Sequence, residues 1–332
     1  MKKILLALFL LLTAVSNAFA VNMVQKEDVL KRNMIYSGLP DFPPFSYYTE
    51  VRSAYILNGA FLKPLREAFK SYSFTPTPYK ITEDEIKNPK LLLLSARSGE
   101  FQIFIGAMTD TKLFTGLEFV YPAVISDPIH IITTPDGQDA IKSFNDLLKL
   151  KGVVSKEEYL SDFVVRKIQS YNVEFVDTSY DAYEKLFTGQ VDYMIGSAFF
   201  NRFKSSHYGL HRYMVYSKNP IFKTPIFIAF SKITPVLEEY VKAFSEEFSK
   251  PSFGRAVKEE IIRIIEEEEA NNDGVVPPAF VKEIFEEKSE EETPKNAEEA
   301  AEAQDDEQGK SSARIIEKEK VEKSLDEVLE GL

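Results

Sequence analysis

Apolar residues recur along the chain with two periods, and the order of those periods predicts the layers. A short β-like run over 34–37 ends in Gly38-Leu39-Pro40-Asp41, a loop signal that continues as Phe42-Pro43-Pro44-Phe45-Ser46-Tyr47-Tyr48. Helical spacing over 59–72 puts Phe61, Leu62, Leu65, Ala68 and Phe69 on one side, and a second apolar helix over 91–96 is stopped by Ser98-Gly99. The short apolar run 101–107, followed by Thr109-Asp110-Thr111, reads as a buried strand. A second series predicts strands at 129–133, 152–154, 173–176 and 191–195, alternating with helices at 141–150, 159–170 and 180–187. A strand at 226–230 and a helix at 235–248 close it. Strands alternating with helices predict α/β layers around a mainly parallel sheet.

The two ends of the chain read differently from this body. Lys2 and Lys3 precede an apolar run from Ile4 to Leu12, and Ala18-Phe19-Ala20 is a small-x-small site. That is the pattern of a secretory signal peptide at 1–20, cut after Ala20, with an apolar run well short of the roughly 20 residues of a spanning helix. Export to the periplasm is the expectation. After Ile265 comes the run Glu266–Glu269, and the stretch 266–332 reads as an acidic tail with short amphipathic helices. Residues 288–312 lack the aromatic and apolar β-branched side chains that could offset chain entropy, which predicts a disordered linker.

Charge sharpens that division. The chain carries −12, but residues 283–332 hold 18 acidic and 7 basic side chains, so the other 282 residues are nearly neutral. A neutral body without a Lys/Arg cluster excludes nucleic acid as a partner. The absence of cysteine excludes disulfides and a lipid-anchoring thiol, so stability must come from the core that 44% hydrophobic residues can build.

Four segments in order resemble the extracellular solute-binding proteins of family 3, the periplasmic amino-acid receptors of ABC importers. They are Asp41-Phe42-Pro43-Pro44-Phe45-Ser46, then Ser98-Gly99-Glu100-Phe101-Gln102 with Gly106-Ala107-Met108-Thr109-Asp110-Thr111, then Glu118-Phe119-Val120-Tyr121-Pro122, and Thr188-Gly189-Gln190-Val191-Asp192-Tyr193. The likeness covers about 34–263. It implies a periplasmic-binding-protein-like II fold: two lobes joined by a two-strand hinge, plus the disordered acidic tail. Lobe 1 would be 29–127 with 224–265 and lobe 2 128–223, with Pro128 and Pro225 flanking the crossing strands. The implied partners are a small-molecule solute and an ABC permease, with the protein a monomer and no cofactor.

In that family an Arg clamps the ligand's α-carboxylate and an Asp pairs with its α-ammonium, an arrangement that suits a planar fork and a zwitterion. This chain has Phe114 and Ser197 at those positions, with Lys112 or Arg97 near enough to substitute for the Arg. A cleft without the pair should bind free amino acids poorly. The resemblance leaves Phe42 as the stacking aromatic, Phe45 beside it, backbone groups at Gly106 and Ala107, the hydroxyls of Thr109 and Thr111, and Ser155 in a shortened ligand loop, Ser155-Lys156-Glu157-Glu158.

Two other functions fit the same fold class. One is a degenerate lobe pair acting as an envelope sensor or adaptor. The other is an enzyme, but His130, His207 and His211 form no recognisable metal or nucleophile motif, and Gly209 interrupts the i,i+4 pair of His207 and His211. The expectation is therefore a binding protein, with no catalytic residue and no metal.

Overall fold

The computed structural model describes residues 34–281 except 71–75, 110, 142 and 144; the signal-peptide reading and the stretch from 282 on lie outside the described residues. The strands are β1 (Ile35–Gly38), β2 (Asp41–Phe42), β3 (Ser46–Val51), β4 (Ala54–Asn58), β5 (Thr77–Pro78), β6 (Ile103–Ala107) and β7 (Leu117–Phe119). They continue as β8 (Ile125–Thr133), β9 (Gly152–Ser155), β10 (Val173–Val176), β11 (Tyr193–Ser197), β12 (Val215–Tyr216) and β13 (Phe222–Ser231). The helices are α1 (Leu62–Ala68), α2 (Glu83–Lys87), α3 (Pro89–Ser98), α4 (Asp162–Ile168), α5 (Ser179–Phe187), α6 (Ala198–Ser206), α7 (Leu237–Phe248) and α8 (Pro251–Asn271).

One hydrogen-bonded path runs β10-β9-β11-β8-β13-β6-β1-β5, mixing parallel and antiparallel neighbours. Among the described residues the ladder is therefore continuous through both halves, the outcome that counts against two lobes with a sheet each; the other sheet is the small β2-β3-β4. The division lies in how two long strands are shared. In β13, residues 222–226 pair with β8, then the register shifts at Phe227/Ile228 and residues 227–230 pair with β6. In β8, residues 125–129 pair with β13 and residues 129–132 with β11. Each long strand leaves one half and enters the other, so the β8–β13 pair joins the two halves.

The cores follow the same division. One cluster gathers the β1–β6 region with α7 and most of α8, while two smaller clusters cover the opposite faces of the β8–β9–β11 strands. Side chains alternate faces along a strand. On one face of β8, Ile125 belongs to the first core and Ile129 to one of the second half's cores. Asp127, between them on that face, marks the seam. No helix among the described residues is long and apolar enough to cross a membrane.

Three sequence expectations are corrected. The helix expected at 141–150 is only a turn at Asp146–Leu148. The Asp146 carboxylate there accepts from both the amide and the hydroxyl of Ser143, at 2.8 and 3.0 Å, a cap that opens the turn, which then ends at Leu148. Within the described part of the helix expected over 59–72, only α1 forms; Ala60 donates to the Pro44 carbonyl at 2.9 Å and stays part of the preceding loop. Finally, Glu266–Glu269 do not open a solvated tail. They form the last turns of α8, and the chain beyond them packs on the second half as far as Val281.

Candidate functional site

The aromatic residues of the 41–48 loop meet the other half of the molecule. A short antiparallel sheet, β2–β3–β4, holds the loop, with Phe42 paired to Ser46. The ring of Phe42 lies 4.9 Å from Phe45 and 5.5 Å, edge to face, from Tyr159. Phe45 is fully buried and reaches Phe61 at 6.2 Å and Phe199 of α6 at 6.1 Å. Gly106 adopts φ +81°, a conformation suited to glycine, and its bare Cα lets the Phe42 ring and the Ser46 hydroxyl come close. Around this wall, Lys204 pairs with Asp41 at 2.6 Å and the Lys112 amide donates to Asp162 at 3.2 Å.

Adjacent in the chain to Tyr159 and Phe199, at the seam, is a polar group with two buried carboxylates, Asp127 and Glu158. Ser197 ends β11 and caps α6: its hydroxyl accepts from the Phe200 amide at 3.1 Å and donates to Asp127 Oδ1 at 2.6 Å. The Ser197 amide donates to Glu158 Oε2 at 2.7 Å, and Asn201 Nδ2 donates to Glu158 Oε1 at 2.8 Å. Asn201 Oδ1 in turn accepts from the Tyr183 hydroxyl at 3.0 Å. A side chain at Gly196 would collide with Glu158 and Asn201, so glycine leaves the space the carboxylate occupies. Thr224 lies directly across the ladder from Asp127, hence on the same face, and its buried hydroxyl has no partner.

Electrostatics at this seam are decided by burial. Desolvation pushes Glu158 up to about 8, against its hydrogen bonds from Asn201 and Ser197 and with the nearby Asp127 adding to the rise. Desolvation likewise pushes Asp127 up to about 7, relieved only by the Ser197 hydroxyl. The amino end of α6 favours the charged form of Glu158 by at most ~2 kcal/mol, whereas burying an unpaired carboxylate costs several kcal/mol, so burial wins. No cationic side chain of the described residues counts among the influences on either group.

The residues expected from the sequence divide into three sets. Phe42, Phe45 and Gly106 come together at the aromatic wall, Ser197 lies in the polar group at the seam, and Ala107 is buried next to Gly106 at the end of β6. Thr109 is exposed, and the Thr111 side chain caps a short turn by accepting from the Leu113 amide at 3.3 Å. Phe114 lies in the first core, edge-on to Phe104 at 5.4 Å, and Arg97 donates to the Leu113 carbonyl at 3.1 Å. Ser155 is buried within its own loop, accepting from the Glu157 amide at 3.1 Å and lying 3.3 Å from the Ser179 hydroxyl. Sequence reasoning missed Asp127, Glu158, Tyr159, Phe199, Asn201 and Thr224. A signal was present for Asp127, an acid inside an apolar run, but Glu158 sits in a polar run that reads as solvated. Among the described residues no three His, Asp or Glu side chains are placed to hold a metal ion.

No protein-family profile matches the chain, and no curated protein sequence matches it. Solved structures do. The GluR0 ligand-binding core in complex with L-glutamate superposes with TM-score 0.53 at 14% identity, over 70% of this chain and 98% of that one. A binding component of an ABC transporter from Wolinella succinogenes, complexed with lysine, gives 0.52 at 16% identity, over 70% and 94%. An amino-acid ABC transporter substrate-binding protein from Streptococcus pneumoniae, bound to L-arginine, gives 0.51 at 15% identity, over 71% and 95%. At these identities the likeness carries the fold, which is α/β of the periplasmic-binding-protein type, and nothing finer.

Proposed function

We propose that this chain is an exported solute-binding protein of the periplasm that closes its two lobes on a small organic amine with an apolar body and hands it to an ABC permease. The observation that carries this reading is the seam itself: two buried carboxylates without a cation, one of them beside an orphaned hydroxyl, adjacent in the chain to a wall of aromatic rings. An ammonium group would supply the missing cation, and an apolar body would replace contacts among Phe42, Phe45, Tyr159 and Phe199. A free amino acid fits worse. Its carboxylate would approach Asp127 and Glu158, while the family's Arg position holds Phe114, which is in the first core. Of the residues expected from sequence, Phe42, Phe45, Gly106, Ala107 and Ser197 stay in this site.

A thermal-shift comparison tests it with matched pairs: phenethylamine against phenylalanine, and butylamine against norvaline. At 100 times its dissociation constant a ligand adds about 2.7 kcal/mol, which is readily seen. The amines should raise the melting temperature at pH 8 and the amino acids should not. Equal shifts, or shifts only with amino acids, would overturn the choice of ligand. A second reading, an adaptor that no longer captures solute, is favoured by the direct contacts Phe42–Tyr159 and Phe45–Phe199, which already join the lobes. Silence from every compound class would favour it.

A further inference from the structure

Helix α8 is embedded in the first half along most of its length. Its N-terminal Phe253 stacks on Phe248 at 4.7 Å, and Val257, Ile261, Ile264 and Ile265 are buried in the first core. Its C-terminal end belongs elsewhere. Arg202 of α6 grips Glu269 with two parallel hydrogen bonds at 2.8 and 2.7 Å, and the two side chains are only 11% and 16% exposed. A fork-on-fork pair of this kind fixes orientation as well as charge. His207 of the same helix meets Glu268 at 2.7 Å. Helix α6 stands between the halves: Phe199, Phe200 and Phe203 belong to the first core, while Asn201 ties the helix to the second half through Glu158 and Tyr183.

Beyond α8 the chain goes further onto the second half. Arg212 bonds to Asp273. Phe280 lies 6.1 Å from Tyr180 and 6.3 Å from Phe187 of α5, and Val281 is fully buried in that half's core. A hinge opening at β8–β13 would have to tear these contacts from one half or the other, because a helix transmits displacement along its axis rather than stretching.

We propose that the C-terminal end of α8 with residues 272–281 is a latch that holds the two halves closed, so that the cleft opens only when the latch is released. The latch stands whether or not the ligand is an amine, since Arg212–Asp273, Phe280 and Val281 reach the second half without the seam carboxylates.

The chain's lack of cysteine makes a clean test possible. Cysteines placed at the exposed positions Glu67 on α1 and Glu184 on α5 carry spin labels, and pulsed electron paramagnetic resonance reads the distance between the halves in the full chain. The parent should give one narrow distribution. Glu269→Gln should add a population at longer distances, from less than about a tenth of molecules to a clear share. The charge swap of Arg202→Glu with Glu269→Arg should restore the narrow form. A chain ending at Asn271 should behave like Glu269→Gln, and it decides the matter if the point variant loses its native circular dichroism. Unchanged narrow distributions in folded Glu269→Gln and in the shortened chain would overturn the latch, as would a parent distribution that is already broad.

Discussion

Replacing Phe45 by alanine is expected to remove about 3–5 kcal/mol of stability, the usual cost of deleting a buried phenylalanine ring. The ring touches Phe42 and Phe61 on its own side and Phe199 across the cleft, and it is fully buried. Because domains of this kind are stable by only about 5–15 kcal/mol, the loss is a large fraction of the total. Urea titration measures it. A loss under about 1 kcal/mol would mean that the ring is not wedged between the lobes as described. Phe42→Ala should cost less, since Tyr159 on its far side is only partly buried and can relax into the space.

The second large effect concerns pH. Glu158 is held in the fold at about 8 and Asp127 at about 7, both far above the range of a solvated carboxylate. The folded chain therefore keeps protons that the unfolded chain gives up. The stability these groups contribute is fully present below about pH 4, falls as the pH rises, and is gone above about pH 8. Each proton so held gives a slope of about 1.4 kcal/mol per pH unit. Glu158→Gln should remove its share of that slope between pH 5 and 8, leaving the share of Asp127. The slope is the readout, because a glutamine amide facing the donors of Ser197 and Asn201 costs some stability at every pH. A wild-type chain whose stability rises from pH 5 to 8 would contradict the burial argument.

Much of the fold was legible because its strands are short, apolar and bounded by turn residues, as at β6, β9 and β11. Helix α6 was not, since only Ala198, Phe199, Phe200 and Phe203 of Ala198–Ser206 are apolar, and the polar Asn201, Arg202, Ser205 and Ser206 are buried as well. Helix α8 carries a clear stripe at Phe253, Val257, Ile261, Ile264 and Ile265, but the glutamate run that follows reads as solvent-facing. Only the placement of Arg202 and His207, some 60 residues earlier in the chain, gives two of those glutamates partners. The site divides in the same way. Phe42 could be located from its resemblance to a known pattern, and Ser197 only as the position where that pattern's Asp is missing. The carboxylates could not, because what matters about Glu158 and Asp127 is burial without a cation, and burial belongs to the tertiary structure. The shortened loop at 155–158 was visible, yet nothing in four polar residues says that one of them turns inward to the amino end of a helix.

The most direct test of the seam as an amine site is isothermal titration calorimetry of phenethylamine into the protein near pH 7, repeated in buffers of different ionisation enthalpy. A cation that settles beside protonated carboxylates must drive a proton off, so binding should release about one proton per ligand and tighten as the pH rises from 6 to 8. Asp127→Asn and Glu158→Gln should each weaken binding and reduce the release. No heat from the amine, binding without proton release, or phenylalanine binding as tightly as phenethylamine would contradict it.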